Sequence, residues 1–419
     1  MVAETDVAIV GAGAAGLATA IFTRRLGASL AVTLMDGARR PGAKILVSGG
    51  GRCNLTNARV SETDFHGGSR AAIRLVLRSF QVSSTIEFFG GLGVPLHEEE
   101  RGKLFPNSNR ARSVLDALLG EAARAGVDRL DACRVTSIDR DGGTFVIDTS
   151  LGRVRARRVV LATGGQSLPK SGSDGAGYDF ARGLGHSIVA PVPALVPLLL
   201  DPSSPMDFAS LSGMSHDVEL TVWIDGRALS RVHGPLLWTH FGISGPAALD
   251  ASRHWTRATA DGRQPQLTMS VRAGMSFAAV DDEVVARAAG RPRLTLQSTI
   301  GEWVPAAVAA ALVRAINLEP VSTLGSLSRG SRRALTRALV DWPLPVTGSR
   351  GYNYAEVTAG GVALAEISPK TMESRVAPGL FLVGEILDVD GRLGGFNFQW
   401  AWASAWSAAR ALTTSYPWV

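Results

Sequence analysis

The chain has 419 residues, 46% of them hydrophobic, enough for two or three domain cores. Its net charge of +6 comes from scattered arginines, with lysine only at Lys44, Lys103, Lys170 and Lys370, which argues against a concentrated nucleic-acid patch. Two cysteines, Cys53 and Cys133, exclude a disulfide framework and a Cys/His metal site, and fit a reducing cytoplasm.

Val7-Ala8-Ile9-Val10 is a short continuous apolar run, the pattern of a buried parallel strand. Glycines follow, then a helix-compatible stretch to about Gly27 and a second strand over 31–35 that ends at Asp36. The acids Glu4 and Asp6 precede this stretch, so it is not a signal peptide. Further along, the patterns predict a helix over 70–89, a hairpin over 94–105 and a helix over 112–125. Short strands are expected at 132–138, 144–148, 153–156 and 159–161, with a turn at Asp141-Gly142-Gly143.

The character changes near Pro191. Pro191, Pro193 and Pro197 interrupt an apolar run, so it cannot span a membrane. Strands over 218–224 and 228–232 bracket Asp225-Gly226. A Gly/Ser loop, a polar stretch at 260–266 and helices over 277–289 and 305–315 follow. Strands and glycine turns return near Arg350, with a buried strand at 380–383 and a final helix at 395–412. The expected fold is α/β: a Rossmann-like nucleotide-binding domain in two parts, 1–190 and 346–419, interrupted by an inserted domain, 191–345.

Gly11-Ala12-Gly13-Ala14-Ala15-Gly16 matches G-x-G-x-x-G, directly follows a strand and opens a helix. Gly11 permits the tight turn, and Gly13 lets backbone approach a pyrophosphate. Gly16, with Ala14 and Ala15, keeps helix and sheet close. The helix start offers N–H groups and partial positive charge to phosphates. Asp36, twenty residues after Gly16, would accept hydrogen bonds from a ribose diol. Distant segments favour FAD over NAD. The strand into Ala162-Thr163-Gly164 is one, and the strand into Gly384-Glu385, whose acid suits a ribityl chain, is another. Gly394-Gly395-Phe396-Asn397 then opens the last helix, where a positive helix end can stabilise a reduced flavin.

Several stretches resemble the YhiN/BaiN-type bacterial flavoproteins. They are the run from Gly42 through Lys44, Ser48, Gly50, Gly51, Arg52, Cys53 and Asn54 to Asn57, then Gly102–Pro106, Thr239–Pro246 and 358–362, and the run from Gly384 to Trp400. The likeness covers nearly the whole chain. It implies an FAD domain split by an insertion with β-barrel-like and helical parts, and an NAD(P)/FAD-dependent oxidoreductase. Family activities include reduction of an unsaturated ring system and oxidation of an amine. Ser404-Ala405 stands where the resemblance leads one to expect Ser-Gly.

The resemblance also places Lys44 and the Ser48, Gly50 and Gly51 backbone against the cofactor, with Arg52 either a ligand or a loop clamp. Cys53 and Asn54 lie in the same loop, Cys53 as a small packed residue rather than a redox thiol, because Cys133 has no C-x-x-C spacing to it. Val135 could offer its backbone to adenine, as its counterparts do in similar folds. His240, in a glycine-rich loop of the inserted domain, is the candidate acid–base residue, with a purely loop-ordering role as the alternative. Of Trp400, Trp402 and Trp406, some belong to the core and one could touch a ring. The expected activity is hydride transfer between flavin N5 and a small organic substrate at the junction of the FAD and inserted domains. NAD(P)H, if it serves, binds transiently, because the chain has a single dinucleotide fingerprint. The alternatives are an FAD-containing RNA-modifying or RNA-binding protein and a flavin-binding sensor.

Overall fold

The computed structural model describes residues 3–414. They form two compact units: residues up to Pro191 together with those from Glu356 onward, and Val192–Ala355. Among the described residues no helix is long and apolar enough to cross a membrane.

In the first unit, β1 (Ala3–Val10) leads through a glycine loop into α1 (Ala14–Leu26) and on to β2 (Val32–Met35). β1 lies between β2 and the strand Gly152–Leu161, parallel to both. Six of the seven strands run in the order Asp128–Leu130, β2, β1, Gly152–Leu161, Thr144–Thr149, Val135–Asp141. Strand Gly152–Leu161 is one element where sequence predicts two, and it changes partner midway. Residues 152–156 pair antiparallel with Thr144–Thr149, and 159–161 pair parallel with Leu380–Leu382. Residues 153–156 alternate arginine with a buried apolar side chain, as a half-solvated strand requires. Val159, Val160 and Leu161 are all fully buried, as a strand covered on both faces requires.

α1 is buried continuously from Ala15 to Thr23, and packs against the last helix, Phe396–Thr414. The helix expected over 70–89 is two helices, Arg70–Ser79 and Val82–Gly91. Phe80 breaks it: extended backbone there turns its ring toward Phe22 and Trp406, at 5.3 and 5.5 Å between centroids. Tertiary burial overrides local helical preference at that position.

The second unit carries a seven-stranded antiparallel sheet. Its order is Trp342–Leu344, Gln266–Ser270, Ser215–Ile224, Arg227–Thr239, Gly242–Ser244, Leu198–Leu200, Val346–Ser349. Asp225 and Gly226 both take positive φ, the turn that a two-residue hairpin demands. No ladder joins the two end strands among the described residues, so the sheet is an open path of seven strands where the resemblance implies a β-barrel-like part. Because Val346–Ser349 pairs with Leu198–Leu200, this unit runs to Ala355 rather than ending at 345. The stretch after Ser244, which reads in sequence as a Gly/Ser loop, is a helix, Gly245–Ala260, with Pro246 in its first turn. At the core of this unit, Trp238 Nε1 donates to His216 Nε2 at 3.0 Å. Burial lowers the His216 pKa and keeps it a neutral acceptor.

Candidate functional site

The glycine loop between β1 and α1 is shaped by two close backbone approaches. A Cβ on Gly11 would lie 2.5 Å from Ala162 O, and one on Gly16 only 1.8 Å from Gly11 O. Gly13 differs: a Cβ there meets nothing within 4 Å. Gly13 is the N-cap of α1, no side chain caps that end, and its first turn contains no acid. The result is an open cradle at a positive helix end. Asp36 closes one side. Its Oδ2 accepts from Ala12 N–H at 2.7 Å and its Oδ1 from Ala38 N–H at 2.8 Å. Cys133 N–H donates to Asp36 O at 2.8 Å, which brings Val135, two residues on and buried, alongside the end of β2.

Two further strand ends arrive at this loop. Ala162 N–H donates to Val10 O at 2.9 Å and Val383 N–H to Leu161 O at 3.0 Å, so Thr163-Gly164 and Gly384-Glu385 both leave the sheet beside α1. A Cβ on Gly384 would fall 2.8 Å from Ala15 Cβ. The last helix grips the Gly384 peptide: Ser404 Oγ accepts its N–H at 3.0 Å, and Trp400 Nε1 donates to its carbonyl at 3.2 Å. Trp402 Nε1 donates to Leu55 O at 2.9 Å. Trp400 and Trp402 are thus buried framework, and Trp406 packs on Phe22.

Glu385 sits in a denser network than its sequence suggests. Oε2 pairs with Lys44 Nζ at 2.5 Å, while Oε1 accepts from Ser167 Oγ at 2.8 Å and Thr358 N–H at 2.9 Å. Thr358 Oγ1 in turn accepts the N–H groups of Gln166 and Ser167, at 2.8 and 3.0 Å. Ser167 and Thr358 are missing from the sequence-based site. The signal for Thr358 was present, since it opens one of the motifs that carry the resemblance, on a strand buried throughout.

Within α2 (Ala43–Gly51) the backbone leaves helical geometry at Ser48, Gly49 and Gly50. Side-chain space at Gly50 is open, and at Gly51 nearly so. Arg52 pairs with Glu99 at 2.7 Å, and its guanidinium lies 4.1 Å from the Phe105 ring centre. Asn54 is buried, and its Oδ1 has no hydrogen-bond partner. Cys53 is fully buried, donates its N–H to Ser48 O at 3.0 Å, and has its thiol pushed up to about 12 by burial. Such a thiol carries no thiolate at neutral pH, and Cys133 is buried as well. Cys53→Ser is therefore expected to retain flavin and turnover, at about 1–2 kcal/mol of stability for the buried hydroxyl. Flavin absorbance and steady-state rate check this. Lost turnover with flavin still bound would give Cys53 a chemical role.

Where the last helix begins, a Cβ on Gly395 would fall 2.4 Å from Thr56 O, and Asn57 Nδ2 donates to Gly394 O at 3.1 Å. Asn397 and Phe396, expected at the cofactor, have structural partners. The Asn397 amide donates to and accepts from the Gly391 backbone, both at 2.8 Å. Phe396 is buried edge-on to Phe65. His240 lies in the second unit, exposed between strands Arg227–Thr239 and Gly242–Ser244, with its ring edge-on to Phe241. No metal-ligating cluster occurs among the described residues. The first unit's residues fit FAD. The Gly13 cradle is one that a side chain would fill, Asn54 Oδ1 is an orphaned buried acceptor, and the helix start is uncapped.

Comparison with known proteins agrees with this geometry. The family described as HI0933-like protein Rossmann domain matches residues 5–411. The 3-dehydro-bile acid delta(4,6)-reductase of Clostridium scindens is 33% identical over 405 residues, 97% of this chain and 98% of that protein. The ribosomal RNA dihydrouridine synthase of Escherichia coli is 33% identical over 407 residues, again 97% and 98%. Among solved structures, the 3-ketosteroid delta1-dehydrogenase of Sterolibacterium denitrificans superposes with a TM-score of 0.52 at 12% identity, covering 99% of this chain and 100% of that one. The quinol fumarate reductase of E. coli gives 0.51 at 17% identity, covering 99% and 70%. At those identities the structures speak for the fold alone.

Proposed function

The chain belongs to the HI0933-like family and is an FAD-dependent oxidoreductase, and from that premise we propose that it reduces a carbon–carbon double bond conjugated to a carbonyl group. One observation carries the reading. Two relatives of equal identity to this chain are named for the same bond change on unrelated molecules, saturation of a bile-acid ring system and of uridine.

When bound, the flavin supplies a centre that takes a hydride from a donor and passes it to the substrate carbon. The chain's own residues bind and orient. The Gly11–Gly16 backbone and the start of α1 hold the pyrophosphate, and Asp36 takes the ribose diol. Asn54 offers its unpaired carbonyl, and Lys44 is fixed by Glu385. The hydride adds to the carbon β to the carbonyl, and a proton must add to the α carbon. His240 is our candidate for that proton. His240→Ala is expected to lower kcat by roughly 10²-fold with flavin content unchanged. An unaltered kcat leaves His240 a loop residue.

Only one dinucleotide fingerprint exists, so the donor binds in turn with the substrate and the kinetics are ping-pong. Anaerobic rapid mixing tests the whole reading. NADH or NADPH should bleach the flavin, and a conjugated enone should restore it. Bleaching by amines, with reoxidation by oxygen and inert nicotinamides, would make the protein an oxidase instead. A second reading, reduction of uracil within ribosomal RNA, is favoured by the relatives named for that product. Reoxidation by RNA but not by small enones would select it.

A further inference from the structure

The first unit contains a cleft of about 750 Å³ that shares no residue with the groups assigned to the flavin. Its floor is Gln399, almost completely buried. Gln399 Oε1 accepts from Thr56 Oγ1 at 2.7 Å and Thr85 Oγ1 at 2.8 Å, and Nε2 donates to Phe80 O at 2.8 Å. Those three bonds fix the amide at the base of the cleft.

Four arginines line the cleft. Two are neutralised locally, Arg74 by Glu62 at 2.5 Å and Arg392 by Asp64 at 2.7 Å. Arg59 and Arg78 form no ion pair among the described residues, although Arg78 also lies within electrostatic reach of Glu62, so four guanidinium groups face two carboxylates and the lining keeps a net positive charge. The ten-residue helix Val82–Gly91 starts on the same wall. Its N-cap, Gln81, makes no capping hydrogen bond, and its first turn holds no acid. Guanidinium forks and an uncapped helix start both select for an anion with several oxygens.

Size and lining narrow the class. The volume is that of a small-molecule site. Leu77, Val60 and Val82 supply apolar wall for an organic body. Among the described residues no aromatic side chain lines the cleft, and so none of them offers the stacking platform that single-stranded nucleic acid needs. We propose that this cleft binds a phosphomonoester carried on a small organic molecule, with Arg59 and Arg78 as its principal ligands.

Calorimetric titration of the FAD-loaded enzyme with inorganic phosphate and with 2′,5′-ADP tests this, for the natural chain, Arg59→Gln, Arg78→Gln and the double variant. Saturable one-to-one binding of 2′,5′-ADP is expected, tighter than phosphate alone and weakened by added salt. Each exposed arginine removed should raise Kd about tenfold. Flavin absorbance certifies the fold of each variant, and the single variants serve if the double one loses flavin. Equal binding by the natural chain and the variants overturns the proposal, as does no saturable binding at millimolar ligand. Binding of a single-stranded RNA that depends on these arginines, without phosphomonoester binding, would replace it with a polyanion surface.

Discussion

Gly13→Asp should yield a stable, colourless protein. Gly13 has φ −81°, which any L residue adopts, and a side chain there meets no protein atom within 4 Å. An aspartate at that N-cap can accept from the free N–H groups of α1 and stabilise the helix by a few tenths of a kcal/mol. Those N–H groups are the ones assigned to the pyrophosphate, and the new carboxylate would add like charge at short range. The combined loss is about 3 kcal/mol or more, roughly a hundredfold in flavin affinity. Absorbance at the flavin band together with thermal denaturation makes the measurement. Full flavin occupancy in this variant would place the phosphates elsewhere. Gly16→Ala serves as the contrast, since its Cβ would sit 1.8 Å from Gly11 O and should disrupt the loop itself.

Joining Pro191 to Glu356 by a short linker should leave a yellow protein without turnover. Every residue assigned to the flavin belongs to the first unit, and each unit has its own buried core. The chain leaves and re-enters the first unit along neighbouring segments, with Ala363 N–H donating to Ser187 O at 3.1 Å. A cut at 345 would be worse, because it keeps Val346–Ser349 without its partner Leu198–Leu200 and exposes an unpaired strand. Flavin should be retained, and enone-dependent reoxidation should fall by roughly 10²-fold or more as substrate positioning is lost. A folded but colourless core would refute this division of labour.

The βαβ start, its glycine loop and Asp36 were legible because each depends on residues within one short segment, where periodicity and glycine spacing speak directly. The hairpin at Asp225-Gly226 was legible for the same reason. Contacts made across the chain were not. Lys44 and Glu385 are an ion pair only because Leu380–Leu382 is drawn in beside Gly152–Leu161. Sequence gives Glu385 as an acid suited to a ribityl chain and Thr358 as part of a motif without a task. The break at Phe80 was hidden because the ring's partners, Phe22 and Trp406, lie far away in sequence. Asn397 in a glycine-rich helix start suggests ligand binding, yet its amide is used by the Gly391 peptide, which only folding brings within reach.

The pairing of Leu380–Leu382 with Val159–Leu161 also sets an order of events during synthesis. When Val159–Leu161 leaves the ribosome, the strand that will cover its free edge does not yet exist. All of Val192–Ala355 must be made first, and that segment carries its own core. The inserted unit can therefore fold while the flavin-binding unit is still incomplete. The grip of Ser404 and Trp400 on Gly384 comes later still, from helix Phe396–Thr414. Flavin capture thus waits until Leu380–Leu382 and Phe396–Thr414 have both been made, and until then the nascent first unit presents an apolar strand edge.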